Sequence, residues 1–395
     1  MEKIAAFHEL NYKKKVQVLT QVPGVVTIMG AFSDFCNGFC IAGTGALGLR
    51  VALSDRDDNT VRVYDATRGD KKHFTLSSLK YRKEDRWANY VKGVFATLVD
   101  EGVRFPHGYD ITLKGALLYC DRITVSESVI MGMLMALDGS LALGYTRKDF
   151  IRIAYRVATE YCGISIRLRD LITVSYAQPG KVFHFDLQSS SYELMDYPFM
   201  NSEDPRGGGL YAIIVDPSLP PQILRDEIEE KRADAHECCR ELRKHLPEDY
   251  TLRTYPVNDL KSHIIRDLDE HVRHTCEYVI SETRYVERAR QAILDADGRM
   301  FARCLSNIYI GMRDVFDVTC PEVDWLIRRA GEVDGVYGAC YVSNGDSGSI
   351  FMVLDRKGEQ DFVRCMDDYK RIFDFRAKTR PFMPGGPAHV VREVE

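Results

Sequence analysis

Apolar positions along this chain follow two alternating periods. Short runs rich in β-branched and aliphatic residues predict early strands at Val16–Leu19, Val25–Met29, Leu47–Leu53 and Thr60–Tyr64. The period then lengthens: Trp87, Tyr90, Val91, Val94, Phe95 and Leu98 fall on one helical face. Tyr109–Leu117 predicts a strand, Ser126–Leu137 a buried helix and Lys148–Tyr161 an amphipathic helix. Thr173–Tyr176 and Val182–Leu187 predict a strand pair around Pro179-Gly180.

The polar, glycine-rich segment 201–209 is the best candidate boundary, dividing the chain into domains 1–205 and 206–395. Beyond it, Leu210–Val215 predicts a strand. Long helical patterns follow over Gln222–His245, His271–Asp295 and Arg299–Val315. Pro321 suits the first position of another helix. Strands at Gly338–Val342 and Ile350–Leu354 precede a last helix near Glu359–Ile372. The fold class is therefore α/β in the broad α+β sense, with two domains and mainly antiparallel strands.

Composition narrows the function classes. The 395 residues are 45% hydrophobic, enough for a sizeable core, and the net charge of −5 offers no overall basic character for nucleic acid. The longest apolar run, near Val129–Leu137, is too short to span a membrane. The opening residues lack the apolar core of a signal peptide. The 11 cysteines include no CxxC and no zinc spacing, so reduced thiols in a cytoplasmic protein are expected. The ten histidines form no metal-binding pair such as HExxH. Gly345-Asp-Ser-Gly348 is similar to the surroundings of trypsin-like nucleophiles, but no matching histidine motif accompanies it.

Three segments carry a family resemblance. Val22-Pro-Gly-Val-Val-Thr-Ile-Met-Gly-Ala-Phe-Ser-Asp-Phe35 resembles the galactokinase signature APGRVNLIGEHTDYNGG, with Pro23, Gly24, Gly30, Asp34 and Gly38 in register. Ser306 through Asp324 resembles NESHxSLRDDYEVSCPELD at Arg313, Asp314, Val318, Cys320, Pro321, Glu322 and Asp324. Glu277–Arg284 looks like HVxxENxRV. Their order identifies the chain as similar to galactokinases within the GHMP (galacto-, homoserine, mevalonate, phosphomevalonate) kinase superfamily. The resemblance implies a two-domain GHMP-kinase fold with the active site between the domains, and ATP-dependent 1-phosphorylation of a sugar with Mg-ATP as cosubstrate.

Several residues that this chemistry needs are replaced. The family's phosphate loop, PxGxGLSSSAA, lets backbone approach the phosphates and leaves a helix pole open to them. Here the stretch reads Leu118-Tyr-Cys-Asp-Arg-Ile-Thr-Val-Ser-Glu-Ser128, without glycine. Arg122, Thr124 and Ser126 are the candidates for nucleotide binding. Thr124-Val-Ser-Glu127 also has the form of a capping box, in which Glu127 closes the pole itself. A carboxylate about 5 Å from a phosphate charge costs roughly 3 kcal/mol at an effective dielectric near 20. The family's metal carboxylate falls on Ala158, and Glu160, two residues on, faces elsewhere along a helix; no metal ligand is assigned.

The family's catalytic aspartate falls on Asp170, which either orients the attacking hydroxyl or pairs as a solvated carboxylate with Arg167 or Arg169. The family's arginine partner falls on Val25, and Arg167 or Arg169 could replace it. On the sugar side, Gly30, Phe32, Asp34 and Arg167 are the candidate substrate contacts, Asp34 as acceptor for ring hydroxyls; a family tyrosine falls on Ile228. These losses point to a pseudokinase with weak or lost phosphoryl transfer that binds a ligand, such as a sugar or nucleotide, or a protein partner. The alternative is an active, divergent sugar kinase with Asp170 as base.

Overall fold

The computed structural model describes residues 2–115, 125–203, 205–220, 225–244, 252–255, 267–342 and 348–391. The chain forms two compact units, one from residues 1–25, 44–178 and 385–395, the other from 26–43 and 179–384. Residues 26–43 and 179–205 therefore group with the second unit, whereas the linear division at 205 places them in the first. The glycine-rich segment runs inside the second unit, where the amide of Leu210 donates to Gly207 O.

The first unit is built on strands β1 (Val18–Met29), β2 (Phe39–Asp55), β3 (Thr60–Asp65), β4 (Asp70–Thr75) and β5 (Tyr109–Gly115). β1 and β2 each have one end in the second unit. With the short β12 (His389–Val391), the order is β12-β1-β2-β5-β3-β4. β3 and β5 are parallel, and β12 pairs antiparallel with β1. Side-chain alternation along β2 serves two helical layers. Val51 packs at Gly132 of α3 (Val125–Leu141), while Ala52 clusters with Ile4 of α1 (Glu2–Tyr12). His8, buried on α1, bonds to Ser54 and Thr112, and burial pulls its pKa down to about 4. Helices α2 (Ala88–Asp100), α4 (Arg147–Arg156) and α5 (Leu168–Tyr176) complete the α3 layer. A capping box of Thr146 and Asp149 starts α4, and a π-helical turn, Val157–Tyr161, extends it.

Thr173–Tyr176, expected as a strand, is the end of α5. Leu171 and Val174 are fully buried one helical turn apart, and packing against α4 overrides the β preference of the Ile172-Thr173-Val174 run.

In the second unit, β6 (Lys181–Asp186) stands where the Val182–Leu187 strand is expected, but its partners are β7 (Ser191–Asp196) and Phe39–Ala42 of β2 instead of Thr173–Tyr176. A separate antiparallel sheet has the order β11-β8-β10-β9, from β8 (Tyr211–Asp216), β9 (Val336–Val342), β10 (Ser349–Leu354) and β11 (Lys378–Pro381). Helices α6 (Arg225–Arg243), α7 (Glu270–Leu294), α8 (Gly298–Gly311), α9 (Pro321–Gly331) and α10 (Arg356–Phe373) supply its apolar partners. On α7, Val272, Cys276, Val279, Val286, Ala289 and Ile293 line the core at helical spacing. Pro321 stands at the start of α9 as expected.

The cysteines correct one expectation. Cys238 of α6 and Cys276 of α7 are joined in a disulfide with Cα atoms 6.2 Å apart, instead of remaining reduced. Their side chains meet because α6 and α7 pack directly on one another. Among the described residues, no helix is long and apolar enough to cross a membrane.

Candidate functional site

In the second unit, β1 leads into the loop that carries Asp34. Gly30 turns the chain with φ of +78°, and a Cβ there would lie 2.3 Å from Phe39 O, so only glycine fits. A 3-10 turn, Ser33–Phe35, follows. Ser33 Oγ donates to Gly30 O at 2.7 Å, and the amide of Gly38 donates to Ser33 O at 2.8 Å. Cys36 Sγ lies 3.7 Å from Thr283 Oγ1 of α7, and burial pushes its thiol up to about 12. The loop of the first resembling segment thus packs on the helix of the third.

Asp34 faces α6. Its Oδ2 lies 3.4 Å from Nη1 of Arg232, whose guanidinium stands 4.7 Å from the centroid of the Phe35 ring. Arg232 Nε is 3.7 Å from the Glu229 carboxylate. Lys231 places its ammonium 5.7 Å from the Phe316 ring. Ile228, where a family tyrosine falls, is buried one helical turn before Arg232. Phe32 has no exposed surface: its ring packs on Phe316, Phe35 and Tyr278, with centroids 4.9, 5.7 and 6.1 Å away. It is part of the core beneath the loop.

In the first unit, Asp170 lies in the first turn of α5 and is buried, not solvated. Arg169 Nε approaches its Oδ1 at 3.8 Å, with 3% and 2% of the two side chains exposed. Arg167 is the residue before the helix. Ser126 and Glu127 lie in the first turn of α3 as described, and Ser126 Oγ donates to Glu127 Oε2 at 2.5 Å. Burial pushes the Glu127 carboxyl up to about 7; the charge of Asp170 adds to this, while Ser126 and Arg167 oppose it. Glu127, Asp170 and Arg167 therefore share one electrostatic neighbourhood.

Arg122, Thr124 and residues 343–347 lie outside the described residues, as does the Thr124 half of the expected capping box. Val25 and Ala158 are buried apolar positions. Glu160 is exposed and bonds to Arg156 at 3.2 Å, facing elsewhere as expected. Among the described residues, no three His, Cys, Asp or Glu are grouped to hold a metal ion. These residues do not fit magnesium and triphosphate in the family's manner, because the Ser126 hydroxyl is directed to Glu127 and Ala158 offers no ligand.

Sequence reasoning missed Lys231 and Arg232. The signal was present: Arg232 follows Ile228 by four residues and so shares its helical face. It also missed Arg253, which pairs with Asp186 (Nη2 to Oδ2, 3.0 Å) and stands 3.8 Å over the Phe39 ring. Phe39 in turn stacks on His184, whose Nε2 is 2.7 Å from Glu287.

No family model matches the chain. The galactokinase of Clostridium perfringens is 25% identical over 372 residues, covering 93% of each chain. That of Levilactobacillus brevis is 24% identical over 372 residues, covering 89% of this chain and 90% of its own. The structure of Lactococcus lactis galactokinase complexed with galactose is similar in fold, with a TM-score of 0.85, 18% identity and 98% of each chain covered. A mevalonate kinase structure matches with a TM-score of 0.64 and 12% identity, over 92% of this chain and 99% of its own. The sequence likeness to galactokinases along nearly the whole chain agrees with the ordered segments around Asp34, Thr283 and Asp324, and the fold is that of the galactokinase and mevalonate kinase structures.

Proposed function

We propose that this chain is a galactokinase-type protein that binds a sugar at the Asp34 loop and transfers phosphate weakly or not at all. The observation that carries this reading is the buried Glu127 carboxylate at the first turn of α3, hydrogen-bonded to Ser126. In the family the corresponding turn is free to receive phosphate. Here a carboxylate occupies it, together with the hydroxyl that would otherwise donate to a phosphate oxygen. Val25 in place of the family arginine removes charge stabilisation that phosphoryl transfer depends on, and Ala158 removes the family's metal carboxylate.

The active-kinase alternative draws support from the Arg169–Asp170 pair. It keeps an aspartate beside a guanidinium, the combination that the family assembles from two distant segments. In that case Asp170 orients the attacking sugar hydroxyl and Arg169 positions the carboxylate.

Calorimetric titration of the full chain with ATP and magnesium at millimolar concentration separates the two. The expected result is no magnesium-dependent heat and no thermal shift. Clear magnesium-dependent binding, with ADP release on adding sugar that Asp170→Asn abolishes, would establish the alternative.

A further inference from the structure

We propose that the Cys238–Cys276 disulfide is a redox latch on the Asp34 loop: its reduction by a dithiol releases α6 from α7 and loosens the loop. The regulatory consequence, weaker ligand binding in the reduced chain, rests on the proposed reading of this loop as a sugar site.

Three features of the second unit support it. First, α6 has little else to hold it. Packing of buried side chains, more than helix propensity, keeps a helix in place. Among the described residues of α6, Ile228, Ala235, Cys238 and Leu242 are deeply buried, and most of the others are charged. On α7, twelve residues are buried. One of the four deep contacts of α6 is thus the cystine itself. Asp234 adds a polar link to α7, 3.3 Å from Thr275 Oγ1 and 3.5 Å from His271 Nε2, but the His271 side chain is exposed and such a contact holds weakly.

Second, the cystine is close to the loop. α6 packs both on α7 and on the Ser33–Phe35 turn. Arg232, which reaches Asp34, precedes Cys238 by less than two helical turns. Thr283, which meets Cys36, follows Cys276 by two turns on the same side of α7. Cys239 is near enough to Cys36 for a thiolate on one to disfavour a thiolate on the other. Both side chains that touch the loop are therefore placed by the helix pair that the disulfide joins.

Third, the cystine stands among thiols. Eight other described cysteines are free, five of them buried. A chain stapled for an oxidising compartment pairs most of its cysteines; one cystine among thiols is the pattern of a bond that opens and closes.

The chemistry is thiol–disulfide exchange. A thiolate of the dithiol attacks one cystine sulfur, the S–S bond breaks, and the departing cysteine sulfur takes up a proton. The second thiol of the reductant then closes on the mixed disulfide and releases the other cysteine. The dithiol leaves as a disulfide, and Cys238 and Cys276 are left as two thiols. Both sulfurs belong to buried residues, so the reductant enters when α6 lifts locally.

The test uses the full chain, oxidised with glutathione disulfide or reduced with dithiothreitol, and follows amide hydrogen exchange by mass spectrometry. The expected result is at least tenfold faster exchange over residues 225–243 and 30–38 on reduction, with β10 of the same unit unchanged. Equal exchange in the two forms would overturn the proposal. So would acceleration that includes β10, which would make the cystine a general staple, or the absence of a Cys238–Cys276 cross-linked peptide after oxidation. The double variant Cys238→Ala/Cys276→Ala should exchange like the reduced protein with or without dithiothreitol; a response that persists in it would assign the effect to another cysteine and sink the latch.

D-galactose, titrated by calorimetry, should bind the reduced form at least fivefold more weakly than the oxidised form. Equal binding to both forms would overturn the regulation while leaving the sugar-site reading in place. Binding to neither form would overturn the sugar-site reading, and the exchange measurement would still decide the latch.

Discussion

Arg169 and Asp170 are consecutive residues whose charged groups meet inside the first unit, Nε to Oδ1 at 3.8 Å, with almost no solvent contact for either side chain. Removing one partner of a buried ion pair leaves a charge in a poorly solvated place. Arg169→Met should therefore destabilise the protein by about 3 kcal/mol. Adding Asp170→Asn should recover part of the loss, since no charge remains stranded. Urea unfolding of the two single variants and the double variant checks this. Strict additivity of the single effects would show that the pair does not interact.

Glu127 predicts a pH dependence with a definite sign. Its folded-state pKa, about 7, is raised from the ordinary 4.5, so the folded protein holds the proton more tightly than the unfolded chain. The associated stability is fully present below pH 4.5 and is lost as pH rises through 7. Glu127→Gln should hence change little near pH 4.5 and stabilise by up to about 3 kcal/mol at pH 8. Denaturant midpoints of wild type and variant at the two pH values measure the difference.

Phe32 offers a test of core against pocket. A ring packed among Phe35, Phe316 and Tyr278 holds the second unit together, so Phe32→Ala should cost about 3–5 kcal/mol in denaturant unfolding. A ring that only lined a ligand site would leave stability nearly unchanged and weaken sugar binding instead.

The turn before Asp34 has no room for a side chain. Gly30→Ala combines a left-handed backbone with a Cβ pressed on Phe39 O and should destabilise by about 1–3 kcal/mol. Urea unfolding gives the magnitude. A neutral result would mean that the loop readily takes another path.

What the sequence revealed and what it hid follow physical lines. The strands that patterning missed, β4, β7, β11 and β12, are all at sheet edges. Their residues include Asp70, Lys71, Lys72, Lys378 and Pro381, the charged and proline content that protects edges from further pairing and removes the apolar alternation. Helix α1 escaped notice because only Ile4 and His8 of its residues with described burial are deeply buried. The long helices α6 and α7 were legible because their apolar stripes run over many turns.

At the candidate site, motif comparison singled out Asp34 by its signature and Asp170 by its alignment between Gly163 and Asp186. It did not reveal what they touch. Arg169 was an evident neighbour in sequence, but Arg232 reaches Asp34 from a distant helix, a pairing that local pattern does not encode. The burial of Asp170 was likewise hidden, because the surrounding Ile166-Arg-Leu-Arg-Asp-Leu171 stretch alternates charge in the way an exposed turn would.

The pairing of Leu19, Thr20 and Gln21 with Val391, Val390 and His389 has a bearing on how the chain is made. A polypeptide synthesised from its N-terminal end must present the outer edge of β1 unpaired until residues 389–391 have been added. All of the second unit is translated in that interval. The first unit is thus the first begun and the last finished, and β1 is the edge that a nascent-chain chaperone would have most reason to shield.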